Sequence, residues 1–419
     1  MANARETAMK VIYDVEFNGA YSNMALKKAL NQGLEKCDKT LVTALVYGVI
    51  DKKTTLDYII SKFSKLKLKK ISKYILIILR MGIYQIMFMD KIPDSAAVNE
   101  SVKLAKKYGH GASAGFVNGV LRNVSKTDIV YPDDKTEYLS VRYSFPTWIC
   151  EKWINDFGYD FTEKMMAAFS EPSKLTVRPN TLRITAEKLC ERLTEQNVEI
   201  LEHSGYIICQ GFDISNDSLY KQGYYTVQDA AAMQAAKVLS PKSGDTVIDM
   251  CAAPGGKTTH MAELMSNKGK IYAFDVHEHK MELIKKNAQR LGITIIEPHL
   301  SDGTVFNNKY MEIADKVLCD VPCSGMGIIR RKPEIKWNRE ENSNLPQIQR
   351  KILENASKYL KCGGEIVYST CTVEKEENEM ITGEFLKENP SFEKMYEKTF
   401  YPHIDDTDGF YICKMRRNK

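Results

Sequence analysis

From residue 240 to the C-terminus, short apolar runs alternate with stretches of helical spacing. The runs are DTVIDM, KIYAFDV, ITIIEP, DKVLCDV and GGEIVYST. Between them lie KTTHMAELM, HKMELIKKNAQRLG and IQRKILENASKYLK. Short, continuous apolar runs are what parallel strands need when both faces of a sheet are covered. Few architectures accept such a sequence. It predicts an open, doubly wound α/β sheet of Rossmann-like type, with its ligand at the carboxyl ends of the strands.

The first strand end reads DMCAAPGGKTT, Asp249 to Thr259. It looks like a phosphate loop. A Walker loop needs GxxxxGK[ST], and its first glycine would fall on Cys251. Nor is a Walker-type Mg²⁺ ligand evident. An adenosine without a phosphate tail fits better. A glycine turn lets backbone approach a ligand without Cβ obstruction. The second strand ends in Asp275, nineteen residues after Gly256, where a carboxylate suits both ribose hydroxyls. Asp302, in SDGT after the third strand, suits an adenine amino group. The loop lacks GxGxxG, so a dinucleotide pyrophosphate fits poorly. S-adenosyl-L-methionine is the predicted cofactor. Each aspartate alone reads as a helix cap or turn residue; three such features at successive strand ends point to a site.

The fourth strand ends CDVPCSGMG, giving Asp320, Pro322 and Cys323, and the fifth ends VYSTCTVEKEENE, giving Thr370 and Cys371. Adjacent strand ends lie close together, so both thiols should face one cleft beside the donor. A lone cysteine is ordinarily a small buried hydrophobe, which is the reading for Cys37, Cys150, Cys190, Cys209 and Cys413. The ten cysteines include no CxxC, and no Cys/His cluster has zinc-finger spacing. Cys319 and Cys362 do not complete a metal site with the pair, because a strand-interior Cys319 would point away. No metal is expected. Two thiols suit methylation at C5 of cytosine, itself a poor nucleophile. A thiolate adding at C6 makes the ring an enamine that takes the methyl at C5. Asp320 is placed to protonate N3 if its surroundings keep it protonated. Loss of the C5 proton then expels the first thiol, with the second assisting release.

The net charge of +5 is unevenly spread. Residues 1–130 hold 21 Lys and Arg against 11 Asp and Glu, a net of +10, so the remainder carries −5. A basic module joined to an acidic remainder suggests a polyanion partner; a solvated basic face is the plainer reading. Residues 1–127 read as all-helical, with a central helix over 71–89 and an N-cap at Asp94-Ser95 for the next. SKFSKLKLKKISK holds six lysines in thirteen residues and reads as an amphipathic helix able to lie on RNA phosphates. The small residues of GHGASAGFVNGVLRNVSK should permit close helix packing. YILIILRMGIYQIMFM, residues 74–89, carries Arg80 and Gln85 and falls short of the ~20 apolar residues of a membrane span. MANARETAMK has no apolar h-region. A cytoplasmic chain with reduced thiols is expected.

Residues 128–145 read as a linker and the start of a new unit, and 146–170 as helical. SKLTVRPNTLRIT, AEKLCERLTEQN and VEILEHSGYIICQG then form a small β-α-β pattern. The chain is therefore multidomain: an all-α domain over 1–127, linker helices and a small α+β RNA-binding module over 128–222, and the α/β domain over 223–419.

In combination, CAAPGGKT, DVPCSGMG and STCT resemble the RNA cytosine-C5 methyltransferases, and most of all the bacterial small-subunit (16S) ribosomal RNA enzymes of the RsmB (Sun/Fmu) type. The resemblance spans nearly the whole chain. YTVQDAAAMQAAKVL, before the first strand, also resembles a family motif, and residues 1–127 are similar to the NusB antitermination fold. The resemblance implies a NusB-like RNA-binding domain and a class I methyltransferase domain that uses S-adenosyl-L-methionine. It implies Cys371 as nucleophile and Cys323 as the assistant to release. It places the donor on Cys251, Ala252, Ala253, Pro254, Gly255, Gly256 and Lys257, and on Asp275, Asp302 and Asp320, so two roles compete for Asp320. The partner implied is small-subunit ribosomal RNA, with no membrane and no metal, and a monomeric chain is expected. A transfer-RNA target and a non-catalytic NusB-like scaffold are the alternatives.

Overall fold

The computed structural model describes residues 3–31, 33–203, 205–214, 216–338 and 344–418. Two compact units form: Met1–Ser170 with Arg331–Asn338, and Glu171–Arg330 with Arg339–Lys419.

The first unit is helical. Its elements are α1 (Ala4–Asn18), α2 (Ser22–Leu30), α3 (Lys36–Asp51), α4 (Lys53–Phe63), α5 (Lys73–Phe88), α6 (Asp94–Tyr108), α7 (Ser113–Val124), α8 (Lys135–Tyr143), α9 (Thr147–Phe157) and α10 (Tyr159–Phe169). A late single turn, α16 (Ile335–Asn338), joins them. Helix α5 is the apolar run at 74–89, and Ile75, Ile77, Ile78, Leu79, Met81 and Ile83 are buried on it. Its two polar interruptions are satisfied. Arg80 donates to both oxygens of Glu16, at 2.8 and 2.6 Å, and to both of Asp57, at 2.7 Å each. Gln85 donates to the Met81 carbonyl at 2.8 Å and accepts from Arg5 at 2.7 Å. A helix apolar around most of its surface belongs in a core. Among the described residues, no helix is long and apolar enough to cross a membrane.

Several expectations change here. The lysine-rich stretch is not an amphipathic helix: α4 stops at Phe63, α5 starts at Lys73, and only Leu68–Lys70 makes a 3₁₀ turn between them. Lys65 and Lys69 would be like charges four apart, which destabilise a helix. Lys65, Lys67, Lys69 and Lys70 are exposed. Helix α6 begins at Asp94, with Pro93 in the cap position. Residues 128–145 contain α8, capped by Asp134, which accepts from Thr136 and Glu137 backbone N–H at 3.0 and 2.9 Å. Within the run 109–126 the close approach is at Gly109, where a Cβ would lie 2.5 Å from Ser113. Gly111, Gly115 and Gly119 have nothing within 4 Å of a Cβ position, whereas a Cβ on Gly48 would lie 2.0 Å from the Tyr84 ring. The late turn α16 is tied in by Trp337, whose ring N–H donates to the Ile50 carbonyl at 2.7 Å, and by Lys336, which donates to Asp51 at 2.7 Å.

The second unit holds two sheets. The small one comprises β1 (Leu175–Pro179), β2 (Ile200–His203), β3 (Ile207–Cys209) and β4 (Tyr225–Val227), all antiparallel, in the order β2-β3-β1-β4. Helix α11 (Ala186–Glu195) buries Leu189 and Leu193 with Val177, Ile207 and Tyr225. The short helix α12 (Ser218–Lys221) leads into β4. The sheet thus extends past residue 222 into the YTVQDAAAMQAAKVL stretch, which continues as α13 (Ala230–Leu239).

The large sheet has seven strands in the order β10-β11-β9-β8-β5-β6-β7. Strands β5 (Thr246–Asp249), β6 (Lys270–Asp275), β7 (Ile296–Leu300), β8 (Ala314–Asp320) and β9 (Leu360–Thr370) are parallel, as their apolar runs require. Helices α14 (Gly256–Leu264), α15 (Glu278–Leu291), α17 (Leu345–Tyr359) and α18 (Glu379–Glu388) connect them and the edge. Strand β7 starts three residues later than expected. Gly292 at φ +75° and Ile293, whose N–H reaches the Ala288 carbonyl at 2.9 Å, are used to close α15. Beyond the five expected strands, the sheet gains an antiparallel pair, β10 (Phe392–Phe400) and β11 (Phe410–Arg417), joined through the short α19 (Pro402–Asp405). The sheet is therefore mixed.

At the middle of β9, Glu365 meets three cations from its neighbours: Lys316 of β8, and Lys414 and Arg416 of β11 at 2.8 and 2.9 Å. Burial alone would raise its carboxyl, but the cations hold it at about 2, against an ordinary 4.5. A depressed carboxyl stabilises the fold fully above about pH 4.5 and loses that contribution as pH falls toward 2. Glu365→Gln should therefore lower the unfolding free energy at pH 7 by on the order of 3 kcal/mol. Near pH 2 it should change little. Urea titrations at both pH values check this, and a pH-independent difference would assign the loss to packing.

Candidate active site

The turn between β5 and α14 is pinned from several sides. The Ala252 N–H donates to the Phe274 carbonyl at 2.8 Å, and the Gly255 N–H to the Ala252 carbonyl at 2.7 Å. Gly255 sits at φ +101°, a conformation that side chains disfavour, and leads into the first turn of α14. The Thr258 hydroxyl donates to Asp249 at 2.7 Å. Asp249 is buried, and burial pushes its carboxyl up to about 7. Cys251 and Ala253 are half-buried, Ala252 is buried, Pro254 is exposed, and Gly256 and Lys257 are half-buried.

The aspartates stand at successive strand ends. Asp275, at the end of β6, accepts from the Ala253 N–H at 3.3 Å and the His277 N–H at 3.1 Å. It thereby ties the turn to the second strand. Asp302, exposed after β7, takes the Thr304 N–H and hydroxyl on one oxygen, at 2.8 and 2.7 Å. Asp320, at the end of β8, accepts from Lys257 at 2.7 Å on one oxygen and from the Ser369 hydroxyl at 2.9 Å on the other. Both its oxygens thus have partners within the protein.

The two motif cysteines meet. Their sulfurs are 3.1 Å apart, and the Cys371 N–H points at the Cys323 sulfur at 3.3 Å. The hydrogen bond to Cys371, together with burial, pushes the Cys323 thiol well up. Lys257 lies in the same field. Burial works against its charge, but Asp320 and the Cys371 sulfur outweigh this and keep the ammonium above its usual range. The Cys251 thiol is pushed well up by burial and by Asp249, Asp320 and Asp275, which suits it for structure and not for attack. Of the other cysteines, Cys150, Cys209 and Cys413 are buried as expected, while Cys37 is exposed and Cys190 is half-buried. Among the described residues, no group of three or more His, Cys, Asp or Glu side chains could hold a metal.

Residues that the sequence reading passed over hold the two loops. Glu377 is buried and accepts from the Ser324 N–H at 2.9 Å and from Gln349 at 2.8 Å. Gln349 also donates to the Pro322 carbonyl at 2.9 Å. The Thr370 hydroxyl bonds Asn378 at 2.6 Å, and Asn378 reaches the Thr372 carbonyl at 3.1 Å. The Gly327 N–H donates to the Cys371 carbonyl at 2.9 Å, and a Cβ on Gly327 would sit 1.9 Å from the Gly409 carbonyl oxygen. Glu377 and Asn378 lie in the run EKEENE, whose composition reads as a solvated face. No pattern in the sequence separates these two from the rest of that run.

Comparison with known proteins agrees along the chain. The family model described as 16S rRNA methyltransferase RsmB/F matches residues 236–416. The NusB family model matches residues 2–126, and an RsmF/B-like ferredoxin-like domain model matches residues 145–209. A probable ribosomal RNA small subunit methyltransferase B of Bacillus subtilis (strain 168) is 36% identical, with 99% of each chain covered. A protein of the same description from Synechocystis sp. is 32% identical, with 100% of each covered. The solved structure of PH0851 superposes with a TM-score of 0.82 at 28% identity, covering 99% of this chain and 98% of that one. A methyltransferase homolog from Pyrococcus horikoshii gives a TM-score of 0.60 at 29% identity, covering 68% of this chain and 100% of its own. With the paired thiols at adjacent strand ends and the glycine turn beside them, these matches place the chain in the RsmB/F family of 16S rRNA methyltransferases.

Proposed function

We propose that the chain transfers the methyl group of S-adenosyl-L-methionine to C5 of a cytosine in small-subunit (16S) ribosomal RNA, acting in the cytoplasm. The observation that carries this reading is the pair of thiols 3.1 Å apart beside the Lys257–Asp320 ion pair. The relatives named above as small subunit methyltransferases support the ribosomal substrate. The exposed lysines 65, 67, 69 and 70 offer a surface for RNA phosphates.

The turn suits S-adenosyl-L-methionine on two counts. It presents backbone and glycine where a nucleoside must lie close, between Asp249, Asp275 and Asp320. Those carboxylates also raise the Cys251 thiol, so the surroundings are electronegative and accept a sulfonium cation. Asp275 would hold the ribose, and Asp302 the adenine side. When bound, the donor supplies an electrophilic methyl group.

The protein's own groups divide the remaining work. Cys323 keeps its proton because Cys371 and burial disfavour its thiolate. The Lys257 ammonium beside Cys371 favours negative charge on that sulfur. Cys371 therefore adds to C6, and the displaced electrons pass toward N3 and make C5 nucleophilic. Asp320 holds Lys257 through their ion pair, which leaves Lys257 as the donor facing developing charge on the ring. After transfer, a base takes the C5 proton, the C5–H electrons restore the C5–C6 double bond, and the C6–S bond breaks with its electrons returning to Cys371. Cys323 is placed to assist that release.

Asp275→Ala should weaken donor binding and leave RNA binding alone. A hydrogen bond to a charged group contributes about 1.5–3 kcal/mol, so affinity should fall roughly 10- to 150-fold. Calorimetry with an unchanged dissociation constant would remove Asp275 from the site.

The two cysteines should behave differently. Cys371→Ala should abolish turnover and any covalent RNA adduct. Cys323→Ala should allow addition and methyl transfer but slow elimination, so methylated RNA stays bonded through Cys371. A denaturing gel shows this as a slow-migrating band. An adduct in the Cys371 variant and none in the Cys323 variant would reverse the assignment.

A further inference from the structure

The small antiparallel sheet reaches the donor turn through one side chain. Arg178, on β1, is 3% exposed, and each of its five N–H donors has an acceptor. Its Nε donates to Glu263 at 3.1 Å, and one terminal nitrogen donates to Glu263 at 2.8 Å and to the Thr259 hydroxyl at 3.2 Å. The other terminal nitrogen donates to the Gly256 carbonyl at 2.9 Å and to the Gln228 side chain. Three of these four partners lie on α14, and Gly256 is its first residue. Gln228 follows β4, in the same small sheet as Arg178.

The guanidinium is thus a rigid fork set between two elements. Buried Arg–Glu pairs are weak contributors to stability, since desolvation offsets the attraction. A fully saturated buried network does fix relative position. What this one fixes is the first turn of α14. Lys257, next to Gly256, is the residue that pairs with Asp320 at 2.7 Å. We propose that Arg178 is a positioning residue for methyl transfer: it holds the first turn of α14, and with it Gly256 and Lys257, in register with the small sheet. The inference rests on the reading of that turn as the donor site.

The test uses the full-length protein with Arg178→Lys. A lysine keeps the charge opposite Glu263 but has three donors at one point and cannot serve all four partners. The variant should melt cooperatively. Its dissociation constant for S-adenosylhomocysteine, the probe, should rise about tenfold by calorimetry. Its kcat should fall about 100-fold, as for an ångström of misplacement. Affinity for a 16S RNA fragment should stay within about twofold of wild type. Arg178→Met with Glu263→Gln, which removes both charges, should show the same donor defect. Gln228→Ala removes one acceptor and no charge, so it keeps the test open if the charge variants unfold; it should weaken the probe about threefold. A folded variant that melts at lower temperature yet binds the probe and turns over like wild type would make Arg178 merely structural and overturn the proposal. Asp275→Ala separates the two readings. If it too leaves probe binding unchanged, the donor site lies elsewhere; if it alone weakens the probe, the Arg178 inference fails.

Discussion

The parallel pairing of β8 with β9 is what the proposed reaction centre depends on. In its register Asp320 lies opposite Ser369, and their side chains bond across the pair at 2.9 Å. Cys323 follows three residues after one strand ends and Cys371 one residue after the other, so the strand ends alone bring the sulfurs to one place. Side chains alternate along a strand, and a slip of one residue would send every group to the opposite face. Cys319 shows what the register excludes. It is buried within β8, its thiol pushed well up by burial, only four residues from a sulfur that faces the site.

Once the strand ends are fixed, small polar residues hold the loops in place. Glu377 and Gln349 bind the backbone on either side of Cys323, and Asn378 binds on either side of Cys371. Buried amides and carboxylates are costly unless every partner is supplied. Here the partners are mostly the backbone groups of the two motif loops, so the same bonds that satisfy the side chains restrict where the thiols lie.

The residues proposed for the chemistry were legible because motif and strand end coincide. Apolar runs marked the five parallel strands, and the residues after them supplied Asp275, Asp302, Asp320, Cys323 and Cys371. What was not legible has physical causes. Strand β10 is an edge strand whose middle residues are exposed and mostly charged, so no apolar run marks it. The lysine-rich stretch has a helical arrangement of apolar residues, but Leu66 is 45% exposed and the crowded lysines favour an open connection. Arg178 lies in VRPN, which reads as a strand edge beside a proline. Its partners are some 50 to 85 residues away in sequence, and pairing at that distance leaves no local trace. The partners of Asp320, Lys257 and Ser369, likewise lie far from it in sequence.

Two thiols 3.1 Å apart share one further constraint. Groups this close titrate as a pair, and a negative charge on one sulfur disfavours a charge on the other. The pair therefore holds at most one negative charge. Lys257, held by Asp320, biases the charge toward Cys371, and the contact with Cys371 keeps the proton on Cys323. In the proposed reaction that division has a consequence for order. While Cys371 carries the charge, Cys323 solvates it as a hydrogen-bond donor. Once Cys371 is bonded to C6 its charge is gone, and the penalty on the Cys323 thiolate falls with it. Cys323 can then take part in release only after Cys371 has attacked, so the spacing of the two sulfurs itself sequences addition before elimination.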